Sequence, residues 1–209
     1  MLQDCGSVHS QCFVPALETG RRVGENRLLV PLSATLPDPA VMRPFRAGQT
    51  REAEAAAEKL VAGNPDDTRL KFYWLPTIHA AISLNRLQPT RSIELLQVAI
   101  PYEMSSDPDP EVWGGSSLYP AYLRGEAYLR LGRGREAETE FQKFLEHRGI
   151  VVNSPTGALA HLQLGRAYAI SGDAAKAKAA YQEFLNLWKN ADPDIPILKQ
   201  AKAEYAKLQ

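Results

Sequence analysis

Residues 132–137 (GRGREA) have the spacing G-x-G-x-x-A, which in some proteins binds the pyrophosphate of a dinucleotide. The glycines of such a loop bring backbone N–H groups at the start of a helix close to the phosphates, and a β-strand precedes the first glycine. In this sequence a helical pattern precedes Gly132 instead. We interpret residues 132–137 as a turn between two helices and predict no cofactor.

Cys5, His9 and Cys12 are the residues most able to share a soft metal ion. Structural zinc sites favour paired C-x-x-C spacings and four ligands, and no fourth ligand lies nearby in the sequence. Metal binding is therefore not predicted here.

Residues 107–111 (DPDPE) resemble the start of a calcium-binding loop. Val112 stands where that loop needs a glycine, and Leu118 stands where it needs a bidentate glutamate. We interpret this segment as a proline-stiffened loop without a metal ion.

The histidines of this sequence are not accompanied by the other residues that catalysis would need. His79 and His161 lie in helical patterns among apolar residues, with no nucleophile beside them, and are interpreted as packed or hydrogen-bonded side chains. Residues 147–149 (HRG) lack the aspartate of a kinase His-Arg-Asp sequence and suit a basic helix end before a glycine. The sequence predicts a protein that is not an enzyme.

Composition narrows the classes of partner. The 209 residues include 24 basic and 24 acidic side chains, with no long run of one sign, so neither a nucleic acid nor an anionic membrane is predicted as a partner. No stretch approaches the ~18 apolar residues of a membrane span, and the start resembles no secretion signal. A cytoplasmic location is the expectation.

The sequence has two regions, which differ in their proline content and in their helical patterns. Residues 1–45 contain five prolines and no helical apolar period, which predicts a poorly structured arm with one apolar patch, residues 27–32 (RLLVPL). Residues 46–209 are rich in helix formers and form the predicted repeat domain.

Turn and capping signals divide the second region into helical hairpins. Thr90 is predicted to cap one helix, Ser117 and Pro120 suit the start of another, and Ser154 before Pro155 suits a third. The predicted helices are residues 50–62, 73–85, 91–100, 120–131, 136–147, 155–170 and 174–188, with Gly149 ending the third hairpin, and then a final helix from Asp194 and Pro196.

One pattern of small and aromatic residues occurs twice, 40 residues apart. Small residues suit the points where two helices touch, and rings fill the groove beside them. These positions, predicted to be packing residues, are Gly125, Tyr128, Ala137 and Phe141, then Gly165, Tyr168, Ala177 and Tyr181. Truncating Tyr128 to alanine is expected to cost ~3–5 kcal/mol.

The pattern resembles the tetratricopeptide repeat, in which a small residue, an aromatic residue, an alanine and a second aromatic residue recur at these gaps. Aligning the second helices puts four residues in equivalent places, at intervals longer than the usual repeat of about 34 residues: Ala53, Ser92, Ala137 and Ala177. The resemblance implies an all-α, right-handed α-solenoid of helical hairpins. The final helix, with Leu198, Ala201, Tyr205 and Leu208 on one face, is predicted to cap it.

Residues 122–209, and more weakly those back to Phe72, also resemble the C-terminal repeat domain of acidobacterial eukaryotic-like serine/threonine kinases and winged-helix regulators. This resemblance implies a bacterial signalling module that binds a protein or peptide. The alternative is a cis-regulatory or oligomerisation domain detached from such a kinase or transcriptional regulator, for which self-association would be expected.

In tetratricopeptide proteins the first helices line a concave groove. Helical phase assigns eight residues of this sequence to that groove, where aromatic and arginine side chains would anchor a partner. Alanine at both Tyr122 and Arg166 is expected to weaken binding without unfolding the protein. The predicted groove residues are Trp74, Thr77, Tyr119, Tyr122, Glu126, Arg130, Leu162 and Arg166.

Overall fold

The computed structural model describes residues 50–104, 118–151 and 154–208. All regular structure in these ranges is helical. The predicted arm of residues 1–45, the cysteines, Ser117 and the calcium-like segment lie outside the described residues. Among the described residues, no helix is both long and apolar enough to cross a bilayer.

Nine α-helices follow one another along the described ranges. Helix α2 continues a π-helical turn, Leu70–Trp74, and α3 is extended by a 3-10 helix, Leu96–Tyr102. The helices are α1 (Thr50–Gly63), α2 (Leu75–Asn85), α3 (Pro89–Leu95), α4 (Tyr119–Arg130), α5 (Gly134–Glu146), α6 (Arg148–Val151), α7 (Pro155–Ile170), α8 (Ala174–Leu187) and α9 (Pro196–Ala206).

Three helical hairpins stack along the chain: α2 with α3, α4 with α5, and α7 with α8. The first helix of each hairpin contacts the first helix of the next, while α1 packs on α2 and α9 packs on α8. Leu198 and Ala201 bury one side of α9 against the last hairpin. The prediction of an all-α solenoid of tetratricopeptide-like hairpins with a C-terminal capping helix is confirmed.

Several helix ends agree with the capping signals. The Ser154 hydroxyl accepts a hydrogen bond from the Thr156 N–H at 3.4 Å, and Asp173 accepts one from the Lys176 N–H at 3.0 Å. The predicted cap at Thr90 is wrong. Helix α3 begins at Pro89, because proline has a helical φ already and its missing N–H is not needed in the first turn.

Two further boundaries differ from those predicted. The helix predicted to run to Ile100 changes to 3-10 geometry at Leu96 and includes Pro101, since a proline disfavours α geometry in the residue before it. The hairpin that was predicted to end at Gly149, α4 with α5, ends at Glu146 instead, and Gly149 lies inside the one-turn helix α6.

Two of the three hairpins depend on a ring packed directly over a glycine. A Cβ atom at Gly125 would lie 2.5 Å from Phe141 Cζ, and one at Gly165 would lie 2.8 Å from Tyr181 Cδ2. Both rings are almost completely buried. The predicted pairing of small and aromatic residues therefore brings α4 close to α5 and α7 close to α8.

Tyr128 and Tyr168 contribute less to the core than predicted. Both are only partly buried, and a cation lies over each ring: the Arg133 guanidinium 4.8 Å from the centroid of Tyr128, and the Lys176 ammonium 5.2 Å from that of Tyr168. The expected cost of ~3–5 kcal/mol for Tyr128→Ala is therefore too high, because that range applies to fully buried rings.

Helix α4 joins the two halves of the core. Its residues Tyr119 and Leu123 pack with the N-terminal cluster around Ile82 and Leu96, whereas Tyr122 packs with the C-terminal cluster around Phe144. A helix with apolar neighbours on several sides can present only a narrow strip of polar side chains.

Gly125→Ala is expected to destabilise the protein by about 1–3 kcal/mol, because the buried Phe141 ring has no room to yield to a methyl group. The free energy of unfolding in urea measures the change. Gly149→Ala is the matched control, since nothing lies within 4 Å of a Cβ there. Equal stability of the two variants would contradict the close approach of α4 and α5.

Candidate partner-binding face

The structure places three of the predicted groove residues in the interior. Thr77 and Leu162 are completely buried and Tyr119 is 1% exposed. Helical phase alone assigned them to an open groove, but the first helices α2, α4 and α7 pack against one another and bury the side chains between them. These residues have no surface to offer a partner.

Trp74 and Tyr122 are also buried. The Trp74 ring centroid lies 6.2 Å from that of Tyr119, and the Tyr122 ring packs edge-on against Phe141 and Phe144 at 5.5 and 5.8 Å. Alanine at Tyr122 would remove these core contacts. The double alanine variant at Tyr122 and Arg166 therefore cannot separate binding from folding.

Glu126 and Arg166, two of the three remaining predicted residues, meet through a glutamine. Gln163 Nε2 donates hydrogen bonds to the Tyr122 hydroxyl at 3.1 Å and to Glu126 Oε1 at 3.0 Å, and its Oε1 accepts one from Arg166 Nη1 at 3.1 Å. Helices α4 and α7 are thus joined by a continuous polar chain. We call Tyr122, Glu126, Gln163, Arg166 and Glu204 the polar face.

Arg166 extends the polar face to the capping helix. Its Nε and Nη2 donate to the two carboxylate oxygens of Glu204 at 2.8 and 3.0 Å, and the Tyr181 hydroxyl also donates to Glu204 at 2.9 Å. Burial opposes the charge on both partners, but their hydrogen bonds raise the pKa of Arg166 and lower that of Glu204. This pair is ionised and fully engaged.

Glu126 is the incomplete member of the polar face. Its Oε2 atom is buried and has no hydrogen-bond partner among the described residues. Burial raises the pKa of Glu126 to about 8, although the positive charges of Arg130 and Arg166 act against this shift. Arg166 is engaged with Glu204, and Arg130 Nη1 donates to the Leu84 carbonyl, so neither arginine contacts this oxygen.

A second charged cluster lies inside the protein. Arg124 Nε and Nη2 donate to the two oxygens of Glu140 at 3.0 and 2.7 Å, and its Nη1 and Nη2 donate to those of Glu103. Burial opposes the charge of Arg124, but these hydrogen bonds raise its pKa overall. With Arg124 and Glu103 each 2% exposed, the cluster links α4 and α5 to the end of the 3-10 helix and is structural.

The sequence analysis missed Gln163, Glu204 and the whole Arg124 cluster. Gln163 and Arg166 are three residues apart on one helix face, and Arg124 lies between the apolar residues Leu123 and Gly125 of α4. Those signals were present. What the sequence lacked was the identity of the partners, which come from α5, α9 and the end of the 3-10 helix.

The structure offers no metal centre in the part of the chain that it describes, where no three His, Cys, Asp or Glu residues come together. His161 is half-buried, and burial lowers its pKa. His79 Nε2 is buried without a hydrogen bond to any described residue, which favours the packed interpretation of His79.

Glu126→Gln is expected to change how stability depends on pH. The pKa of Glu126 in the folded protein, about 8, lies above the 4.5 of an ordinary glutamate, so the folded state holds this proton more tightly than the unfolded state. This group therefore lowers stability as the pH rises through that interval, by up to ~1.4 kcal/mol per unit. Glutamine does not titrate and removes this loss.

Urea unfolding of both proteins at pH 5 and pH 8 measures the effect. The free energy of unfolding of Glu126→Gln, relative to wild type, should increase by on the order of 2–4 kcal/mol from pH 5 to pH 8. Glu146→Gln, the same change at an exposed position of α5, is the control and should show no comparable gain. If the free energy of unfolding of Glu126→Gln differs from that of wild type by the same amount at pH 5 and pH 8, the raised pKa of Glu126 is contradicted.

Arg124→Met is expected to destabilise the protein by about 3–5 kcal/mol, because it leaves the buried carboxylates of Glu103 and Glu140 with Lys143 as their only ion-pair partner among the described residues. Arg91→Met is the control, since Arg91 pairs with Glu94 on the surface and should matter little. Thermal and urea unfolding measure both variants. A small loss for Arg124→Met would show that the cluster contributes little to the stability of the fold.

The comparisons with known proteins concern the region that carries most of the polar face. Residues 122–194 match the family model described as tetratricopeptide repeat. No curated protein and no solved structure matches the chain significantly. The matched region contains Tyr122, Glu126, Gln163 and Arg166, and spans α4 through α8. Residues 122–194 are thus similar to a tetratricopeptide-repeat region and lie within an all-α solenoid.

Proposed function

We propose that this chain is a non-catalytic protein-interaction module that binds a peptide or protein segment at the polar face. Tetratricopeptide repeats generally mediate protein–protein interaction, and the matched region supports that general role. The observation that carries the proposal to this face is the buried Glu126 Oε2 atom, which makes no hydrogen bond to a described residue.

A buried polar atom without a partner costs free energy that a ligand can recover by supplying the missing hydrogen bond. Glu126 as a whole is only partly buried, so part of its side chain is open to solvent. Gln163 holds the other oxygen in place. A basic side chain of the partner fits this position best, because it would stabilise the ionised carboxylate and donate to it.

Binding of such a partner is coupled to the proton on Glu126. With a pKa of about 8, most of the carboxyl groups are protonated at pH 7, and a cation must displace that proton. The partner should therefore bind more tightly as the pH rises towards 8.5. This direction is opposite to the one expected if the partner offered a carboxylate.

The test is a quantitative capture from a lysate of the source organism on the immobilised full chain, at pH 7.0 and pH 8.5. Wild type should retain its partner about five- to tenfold better at pH 8.5 than at pH 7.0, in line with the change in ionisation of Glu126. Glu126→Gln should weaken retention and remove the pH dependence. Glu146→Gln is the matched control and should behave like wild type.

Equal retention by Glu126→Gln and wild type would contradict binding at the polar face. Capture of further copies of this chain alone would favour the alternative role, an oligomerisation or cis-regulatory domain of a bacterial kinase or transcriptional regulator. That alternative rests on the sequence resemblance.

A further inference from the structure

Helix α9 carries a carboxylate on the side that packs against the solenoid. Glu204 lies three residues after the completely buried Ala201, and this spacing places both residues on the same side of the helix. The Glu204 carboxylate accepts hydrogen bonds from Arg166 Nε and Nη2, from the Tyr181 hydroxyl and from Gln200 Nε2. The capping helix therefore occupies an arginine of the polar face with one of its own carboxylates.

Helix α9 is attached to the solenoid by a small apolar contact. Two of its side chains, Leu198 and Ala201, are buried, whereas α8 buries four. A polar contact adds to this, since Gln182 Nε2 donates a hydrogen bond to the Tyr205 hydroxyl at 2.7 Å. A terminal helix with few buried apolar side chains opens at a lower free-energy cost than the core. The bidentate ion pair is therefore an important part of the attachment of α9.

The guanidinium of Arg166 faces a second carboxyl group, that of Glu126. Arg166 Nη1 donates to Gln163 Oε1 at 3.1 Å, and Gln163 Nε2 donates to Glu126 Oε1 at 3.0 Å, so one amide group separates the two charged groups. Glu126 Oε2 has no hydrogen-bond partner among the described residues. Because the Nε and Nη2 atoms of Arg166 bind Glu204, the Glu126 carboxyl group is left without a cation in contact.

Two arginines act on the charge of Glu126, and they differ in what holds them. Arg130, on the same helix, donates to the Leu84 carbonyl of α2 and is held by the neighbouring hairpin. Arg166, on α7, is held by α9. The Tyr122 hydroxyl also faces Glu126 and accepts a hydrogen bond from the same glutamine side chain. Displacement of α9 would therefore release Arg166 and leave Arg130 where it is.

We propose that Glu204 and Glu126 compete for Arg166, so that docking of α9 determines whether the Glu126 carboxylate is open to a partner. With α9 docked, Arg166 binds Glu204 and one oxygen of Glu126 stays available. With α9 displaced, Arg166 turns to Glu126 and covers it. The consequence for a partner rests on the function proposed above, whereas the competition itself does not.

The competition links α9 to the proton on Glu126. While α9 is docked, burial raises the pKa of Glu126 to about 8. Pairing with Arg166 after displacement of α9 would stabilise the ionised carboxylate and lower that pKa. The docked state thus holds the proton more tightly than the displaced state. Because linkage is reciprocal, docking of α9 should weaken as the pH rises towards 8.

The test measures the pKa of Glu126 in the full chain by NMR of isotope-labelled glutamate carboxyl carbons, with Glu126→Gln to identify the signal. Glu204→Gln removes the competing charge and should lower the pKa of Glu126 by about 1–3. The same change made in an Arg166→Gln background should cause no such decrease, because the effect acts through Arg166. Glu183→Gln, at an exposed position of α8, is the matched control and should leave the pKa unchanged.

A second variant displaces α9 without changing any charge. Ala201→Gln places a larger polar side chain at a completely buried position, and faster amide hydrogen exchange in α9 verifies the displacement. The pKa of Glu126 should again fall. Ala203→Gln is the matched control, since it makes the same substitution at an exposed position of α9.

The proposal is overturned if Glu204→Gln, or a displaced α9 in Ala201→Gln, leaves the pKa of Glu126 as it is in wild type. An equal decrease with and without Arg166 would also overturn it, because Glu204 would then act on Glu126 directly. Failure of the proposed function is a separate result: equal capture of a partner by Glu126→Gln and wild type does not alter these pKa values.

Discussion

The fold depends on two rings that pack over two glycines. Phe141 covers Gly125 and Tyr181 covers Gly165 at distances that leave no space for a methyl group. This contact sets the spacing within two hairpins, α4 with α5 and α7 with α8, and the stacking of these hairpins then places α7 beside α4. The hydrogen bonds of Gln163 to Tyr122 and Glu126 exist only because that spacing is maintained.

The two polar clusters differ in whether their hydrogen bonds are complete. Arg124 satisfies both of its carboxylate partners in the interior, so the cluster fixes the position of α4 and has nothing to offer a ligand. Glu126 lies on the same helix, yet one of its oxygens has no partner among the described residues and its pKa is raised by burial. The fully paired Arg124 cluster thus stabilises α4, the helix that also carries the partly unpaired Glu126 carboxyl group.

Most of the architecture could be predicted because it follows from local patterns. The 40-residue repeat of small and aromatic residues predicted the hairpins, and Ser154 before Pro155 predicted the start of α7. The candidate site was predicted less well. Helical phase selected Glu126 and Arg166, which are partly exposed, but it also selected Thr77 and Leu162, which are buried, because a single helix does not show which of its faces its neighbours cover.

The sequence by itself determined the helical class, the hairpin repeat and the positions where glycine lies under a ring, because these depend on residue size and short spacing. Only the tertiary structure decided which charged groups are paired and which lack a partner among the described residues. The reason is that Glu103, Gln163 and Glu204 come from distant parts of the chain. The same is true of Leu87, which lies in the turn between α2 and α3. In the sequence it is an ordinary leucine, and only the backbone of the folded turn places it in the left-handed region.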